Sequence, residues 1–295
     1  MLTGTSTTER RAASPALERH AGRRLRGASM LRLARREIAT ALNGVGLYLV
    51  VTLACLAAAV TLKGYLDYLA ANGTLVLAAP LRAPLLIAVI LMTAFLGLSA
   101  AAGTAGERER GTLEVLMYGP VDIWTFVAGK ALGLLGTYCI MLLAVAVVLA
   151  LIATLTAIPL DGATAGLLAL STAPAACTIA FGMLLAAHTT RVRAAISLTL
   201  VALLLFAAID AADQLLAARA ADGALGSAAQ LLAAVAAVAA WLSPFSYLSR
   251  AVESIVLADS RGVAINTLAP LLYAGALLCL TVAALRRGGV QRWRE

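Results

Sequence analysis

Apolar residues in this chain fall into long runs separated by short polar stretches, and those runs set the architecture. A helix needs about 20 apolar residues to cross a bilayer. Runs near that length predict spans at about Val45–Leu62, Ala83–Ala105, Val127–Leu155, Ala165–Ala187, Ala194–Ile209 and Ala264–Leu285. Pro174 inside the fourth predicts a kink, because proline lacks the N–H the helical ladder needs.

The pattern changes ahead of the first span. Leu31, Ala34, Ile38, Ala41 and Leu42 recur at helical spacing, with Arg32, Arg35, Arg36, Glu37 and Thr40 between them. This predicts an amphipathic helix over residues 30–44 whose cationic face suits it to lie along the cytoplasmic leaflet. Residues 1–29 are rich in Arg, Ser, Thr and Ala, and no apolar run follows Arg10-Arg11 or Arg23-Arg24 as a signal peptide would require. They read as a disordered cytoplasmic tail, with residues 45–295 forming the transmembrane domain.

Ala224–Leu242 is long and apolar enough to cross, yet it is mostly alanine, carries Gln230 and stops at Ser243-Pro244. Arginine placement decides its reading. Six spans with both ends in the cytoplasm put most of the Lys and Arg inside and leave Lys63, Arg82, Arg219, Arg250 and Arg261 outside. A seventh span would move the four C-terminal arginines outside, against the bias that orients such proteins. Residues 210–263 therefore read as an external segment.

Composition agrees. Hydrophobic residues make up 62% of the chain and charged ones 13%, where a soluble domain would be about half apolar and about a quarter charged. The Ala, Leu and Val content favours helices over barrel strands, so the fold class is an all-α polytopic membrane protein. The net charge of +8 lies beside membrane ends, which points to the lipid bilayer as its partner and away from nucleic acid. Cys55, Cys139, Cys177 and Cys279 each sit in a separate apolar segment without Cys-x-x-Cys pairing, and read as packing residues.

No catalytic motif is legible. The nearest approach to a phosphate-binding loop is Gly129-Lys130, but Trp124 stands at the first glycine position and Ala131 at the hydroxyl position. Two histidines, His20 and His188, make no zinc-protease constellation, and no Gly-x-Ser-x-Gly elbow is present. His188 reads as a span-end residue beside Arg191 and Arg193. The spans are expected to hold no intramembrane Asp, Glu, Lys or Arg, Lys130 standing at the start of the third. That weighs against an ion-coupled carrier or channel, whose route needs groups that bind and release the ion. Only Asp210 and Asp213 lie near, at the edge of the fifth span. A non-transporting membrane scaffold is the other alternative that composition allows.

The informative stretch is Glu107–Lys130, which takes in most of a loop at 106–126 and the start of the third span. Gly111-Thr112 permits a turn, and Thr112 is a candidate N-cap for a short helix at Leu113–Tyr118 with Glu107, Glu109 and Glu114 near its positive end. Leu113, Leu116 and Met117 share one face, Gly119-Pro120 ends the helix, and Trp124 suits interfacial depth. Gly129, Gly133 and Thr137 then form a small-residue face for close helix packing.

The run Glu-Arg-Glu-Arg-Gly-Thr-Leu-Glu at 107–114, followed by Gly-Pro-Val and by Gly-Lys at the next span, resembles the signature of ABC-2-type transporter permeases. The helix at 30–43 with Arg35-Arg36-Glu37 is similar to that family's elbow helix. Leu242-Ser243-Pro244-Phe245-Ser246-Tyr247 and the sixth span resemble its C-terminal region, as in the gliding-motility and nitrous-oxide-reductase-maturation branches. The resemblance implies a permease subunit of an ABC transporter in the cell membrane, paired with a second permease subunit and with a separate ATPase subunit that binds ATP and Mg. It makes Glu107, Glu109, Arg110, Gly111, Thr112, Leu113 and Glu114 the ATPase-coupling surface, and Arg32, Arg35, Arg36 and Glu37 part of the elbow. It implies no metal, no cofactor and no catalysis in this chain. The segment between the fifth and sixth spans would hold extracellular gate helices, although it is richer in alanine than a binding gate.

Overall fold

The computed structural model describes residues 15–72, 81–112, 122–156, 162–220, 241–257 and 259–292. Every regular element among them is helical. Helix α1 covers Pro15–Asn43, α2 Val45–Asn72, α3 Arg82–Glu109 and α4 Ile123–Thr156. Then come α5 (Gly162–Leu170), α6 (Thr172–Ala187), α7 (Val192–Ala220), α8 (Pro244–Val256) and α9 (Ser260–Arg292). Six helical stretches among the described residues are long and apolar enough to cross a membrane, and they match the six expected spans in order. The chain is an all-α polytopic membrane protein.

Several boundaries differ from expectation, each for a local reason. The N-terminal helix begins at Pro15, so residues 15–29 are helical where an unstructured tail was expected. Proline suits a first helical position, where its missing N–H costs nothing, and the Ala, Leu, Arg and Glu that follow are strong helix formers. Helix α2 continues through Lys63 and Asp67, both exposed beyond the last buried residue, Leu62. Exposed charges at a helix end meet no desolvation cost, so polarity did not stop the helix. Helix α3 likewise runs on through Gly106–Glu109, and α4 starts at Ile123, which reduces the connection between them to about a dozen residues.

The fourth span breaks between α5 and α6, at Ser171. Pro174 lies three residues on, and it is the Leu170 carbonyl that its absent N–H would have bonded. At the break the Ser171 hydroxyl donates to the Leu168 carbonyl (2.6 Å) and accepts from the buried Tyr138 hydroxyl (2.7 Å), which ties the break to α4.

The expected external segment at 210–263 is largely helical where it is described: α7 extends to Ala220, α8 occupies Pro244–Val256 and α9 begins at Ser260. Most of the ambiguous stretch Ala224–Leu242 lies outside the described residues, which resume at Trp241. Phe206 of α7 and Phe245 of α8 belong to one apolar cluster with Leu203, so the helices flanking that stretch meet on the same side of the bundle. At 13 residues, α8 is too short to span. It buries Phe245, Tyr247, Leu248 and Val252.

Helices α3 and α6 form the centre. They cross at Gly97 and Gly182, where a Cβ on Gly182 would fall 2.2 Å from the Gly97 carbonyl oxygen. Only glycine permits backbones that close. Helix α9 packs on α6, α7 and α2 pack on α3, and α4 closes the core with Tyr138, Met141 and Val145. Leu62, Leu81 and Ala153 cluster at one end of the bundle. The C-terminus of α3, the start of α4 and the α6–α7 turn share the other end, where the charges gather.

Candidate functional site

Glu107, Arg108 and Glu109 form the last turn of α3 and point about 100° apart around it, as successive helical residues must. Each reaches a different neighbour. Glu107 Oε1 accepts hydrogen bonds from Arg36 Nη2 of α1 (2.8 Å) and Lys130 Nζ of α4 (3.2 Å). Arg108 Nη1 donates to the Ala187 (2.6 Å) and Thr189 (3.1 Å) carbonyls at the end of α6. Glu109 Oε2 accepts from the Val192 amide (2.9 Å) at the start of α7.

These partners follow from helix electrostatics. The last carbonyls of a helix lack intrahelical donors and carry partial negative charge, while the first amides lack acceptors and carry partial positive charge. Arginine at the end of α6 and glutamate at the start of α7 each supply what the backbone lacks.

Lys130 is the most buried charge at this end, with 2% of its side chain exposed. Its ammonium also lies 3.1 Å from Glu37 Oε1 of α1, and both acids are 15% exposed. A lone buried ammonium would be prohibitively costly; two carboxylates with Arg36 beside them make the group neutral overall. Gly103 makes room for it, since a Cβ there would sit 3.1 Å from Lys130 Cε. The expectation of spans free of ionisable groups is thus corrected. Lys130 lies inside a spanning helix, and the carboxylates of α1 and α3 offset its charge there.

The Gly129, Gly133 and Thr137 stripe is placed by the same packing. A Cβ at Gly129 would meet Leu33 at 3.0 Å, one at Gly133 would meet Glu37 Cβ at 2.6 Å, and one at Gly136 would meet Ile38 at 2.9 Å. Helix α1 therefore lies lengthwise along α4 over about two turns, with Glu37 on its inward face. The sequence pattern had set Glu37 on the polar face and Leu31 on the apolar one; Leu31 is exposed. Arg32 and Arg35 are exposed as well. Thr137 is buried and donates to the Gly133 carbonyl (3.0 Å) of its own helix.

Beyond α3 the chain turns at Gly111, whose φ of 69° lies in the left-handed region glycine tolerates best. Thr112, the expected N-cap, donates its hydroxyl to the Glu107 carbonyl (2.9 Å) and closes the end of α3. Arg110 and Thr112 are exposed. Leu113, Glu114 and the rest of the expected short helix lie outside the described residues. Where the description resumes, Asp122 caps α4: its Oδ1 accepts from the Thr125 amide (2.9 Å) and from the Thr125 hydroxyl. Trp124 is exposed in the first turn of α4.

The family model for "ABC-2 family transporter protein" matches residues 85–286. The chain belongs to the ABC-2 transporter family. No curated protein matches it. Membership makes the chain a membrane subunit of an ABC transporter, in a family whose permeases generally pair with an ABC ATPase. The matched stretch holds Glu107, Arg108, Glu109, Lys130 and the α6–α7 turn, but not α1, which supplies Glu37 and Arg36.

Of the residues singled out from the sequence as a coupling surface, Glu107 and Glu109 are engaged by other helices, whereas Arg110, Gly111 and Thr112 stand where the connection departs. Arg108, Lys130 and Asp122 were missed as functional positions. Asp-x-x-Thr ahead of an apolar run was a readable cap signal for Asp122. Lys130 carried no local signal, because its partners are 93 and 23 residues away.

Proposed function

We propose that this ABC-2 permease converts ATP hydrolysis by a separate subunit into rearrangement of its spans through the connection that leaves α3 at Gly111. The observation that carries this reading is the arrangement of the last turn of α3. A partner that displaces the exposed Arg110–Thr112 end pulls on Glu107, Arg108 and Glu109, and so on α1, α4, α6 and α7. A connection joined to one helix alone would lack that reach.

The charged end is the cytoplasmic one in this reading. Arg35, Arg110, Arg191, Arg193, Arg286 and Arg287 are all exposed there, whereas Lys63 and Arg261 are exposed at the opposite end. That distribution follows the positive-inside bias. Two permease subunits, two ATPase subunits and the ATP and Mg those ATPases bind complete the machine, in the cytoplasmic membrane. An ion-coupled carrier is less well supported, since Glu37 and Glu107 are held by Lys130 and Arg36 at the bundle end.

The test is co-purification from native membranes followed by measurement of ATP hydrolysis in the complex. An ATPase subunit should be retained, and Gly111→Val or Glu114→Ala should alter permease-dependent hydrolysis. Recovery of the chain without any ATPase, or hydrolysis indifferent to both substitutions, sinks the proposal.

A further inference from the structure

The α6–α7 turn at residues 188–191 takes no part in the connection between α3 and α4, yet three hydrogen bonds tie it and its flanking residues to α3. Arg108 holds the carbonyls that enter it and Glu109 holds the amide that leaves it. Directly beneath these charges Ala101 and Ala105 of α3, Ala186 of α6 and Ala195 of α7 form a cluster with no exposed surface. Side chains this small bring three backbones together with no long rotamers to absorb a shift, and packed interiors transmit displacement instead of damping it. The Gly97–Gly182 crossing extends the same contact deeper into the bundle.

From this geometry we infer that Arg108 and Glu109 are positioning residues of the transport cycle. They make the α6–α7 turn follow the end of α3 as one rigid body, so that displacement of the connection reaches α6 and α7 together. The inference rests on the coupling role proposed above but assigns it a second output. Glu107 faces α1 and α4 and carries one branch; its two neighbours carry the other. Helix α6 then passes the motion to α9, which packs along it.

Spin labels test this on the intact chain in nanodiscs, after replacement of the four native cysteines. One pair joins Arg110→Cys to Thr190→Cys, both exposed positions; a second joins Thr190→Cys to Leu132→Cys on the exposed face of α4. In the otherwise unaltered chain the 110–190 distance should be narrow, and unchanged when ATP is added to the complex with its ATPase. The 190–132 distance should shift on ATP addition. In Arg108→Gln/Glu109→Gln the 110–190 distribution should broaden and the ATP-driven 190–132 shift should be lost, with the ATPase still bound. Arg108→Lys/Glu109→Asp, which keeps both charges, should restore the shift; a merely structural defect would not depend on charge in this way.

A 110–190 distance that changes with ATP, or a Gln/Gln variant that responds like the parent, overturns the inference while the coupling role stands. Failure of any ATPase to bind the unlabelled parent chain overturns both. The nanodisc measurement without ATPase isolates the junction: a broad 110–190 distribution in the parent chain counts against rigidity by itself.

Discussion

The Lys130 ammonium sits 3.1 Å from the Glu37 carboxylate, joining a spanning helix to the helix that precedes the first span. Glu107 takes the other side of the same ammonium at 3.2 Å. Removing Lys130 leaves two carboxylates facing each other with only a half-exposed arginine beside them. Breaking a buried pair by deleting one partner costs about 3–5 kcal/mol. Lys130→Met should therefore lower the unfolding temperature in detergent markedly and loosen α1 from α4. The double variant Lys130→Glu/Glu37→Lys should recover part of the loss; equal destabilisation by the single and double variants would refute a specific charge pairing.

Arg36 should behave differently, although its bond to Glu107 is shorter, at 2.8 Å. Its side chain is 56% exposed, against 2% for Lys130. Solvent and salt screen such pairs, which contribute about 0–1 kcal/mol. Arg36→Gln should cost little, and the small cost should shrink further at high salt. A penalty as large as that of Lys130→Met, insensitive to salt, would show that exposure is a poor guide at this site.

The backbone crossing at Gly97 and Gly182 can be probed by adding one methyl group. A Cβ at Gly182 would lie 2.2 Å from the Gly97 carbonyl oxygen, so the helices must separate. Overpacking costs about 1–3 kcal/mol, and Gly182→Ala should reduce both yield and unfolding temperature. Gly275 in α9 has nothing within 4 Å of the same added carbon. Gly275→Ala should be neutral or stabilising by up to about 1 kcal/mol, from helix propensity. Similar outcomes at the two glycines would mean that the crossing is looser than described.

What was legible in the sequence divides along range of interaction. Spans announce themselves through apolar runs that need no partner to be recognised, and Pro174 marks its own break through chemistry local to Leu170 and Ser171. The Glu-Arg-Glu-Arg run was conspicuous, but its directions were not. Glu107 and Glu109 read as surface acids because nothing within the run shows that Lys130, Arg36 and Val192 approach from other helices. Glu37 is the clearest reversal. Local periodicity set it on the polar face of α1, while the Gly133 notch and the Lys130 charge draw it inward. Helix ends were misjudged for a related reason: Lys63 and Asp67 remain exposed, so helix geometry carried past the end of the apolar run.

Asp122 anchors the far end of the α3–α4 connection by capping α4 through Thr125. Losing an N-cap acceptor costs about 0.5–2 kcal/mol. Asp122→Ala should destabilise the chain by that order, whereas Asp122→Ser or Asp122→Asn, which keep a short acceptor, should be close to neutral. Amide hydrogen exchange at residues 123–126 is the direct measurement. Protection there that survives Asp122→Ala would remove the cap from the account.

Gly111 separates the coupling role from simple stability. Its φ of 69° costs other residues about 1–2 kcal/mol, and β-branched side chains suffer most. Its surroundings are open, with nothing within 4 Å of an added Cβ, so a substitution meets backbone strain but no clash. Gly111→Val should re-aim the departing chain while leaving the spans packed. The expected result is an unfolding temperature near that of the parent, together with altered ATP hydrolysis in the complex. Gly111→Asn, which tolerates the left-handed region better, should fall between the two in hydrolysis. If Gly111→Val unfolds the bundle as Lys130→Met does, the turn is part of the packed core and not a joint. If it changes neither property, displacement enters the permease elsewhere than at the end of α3.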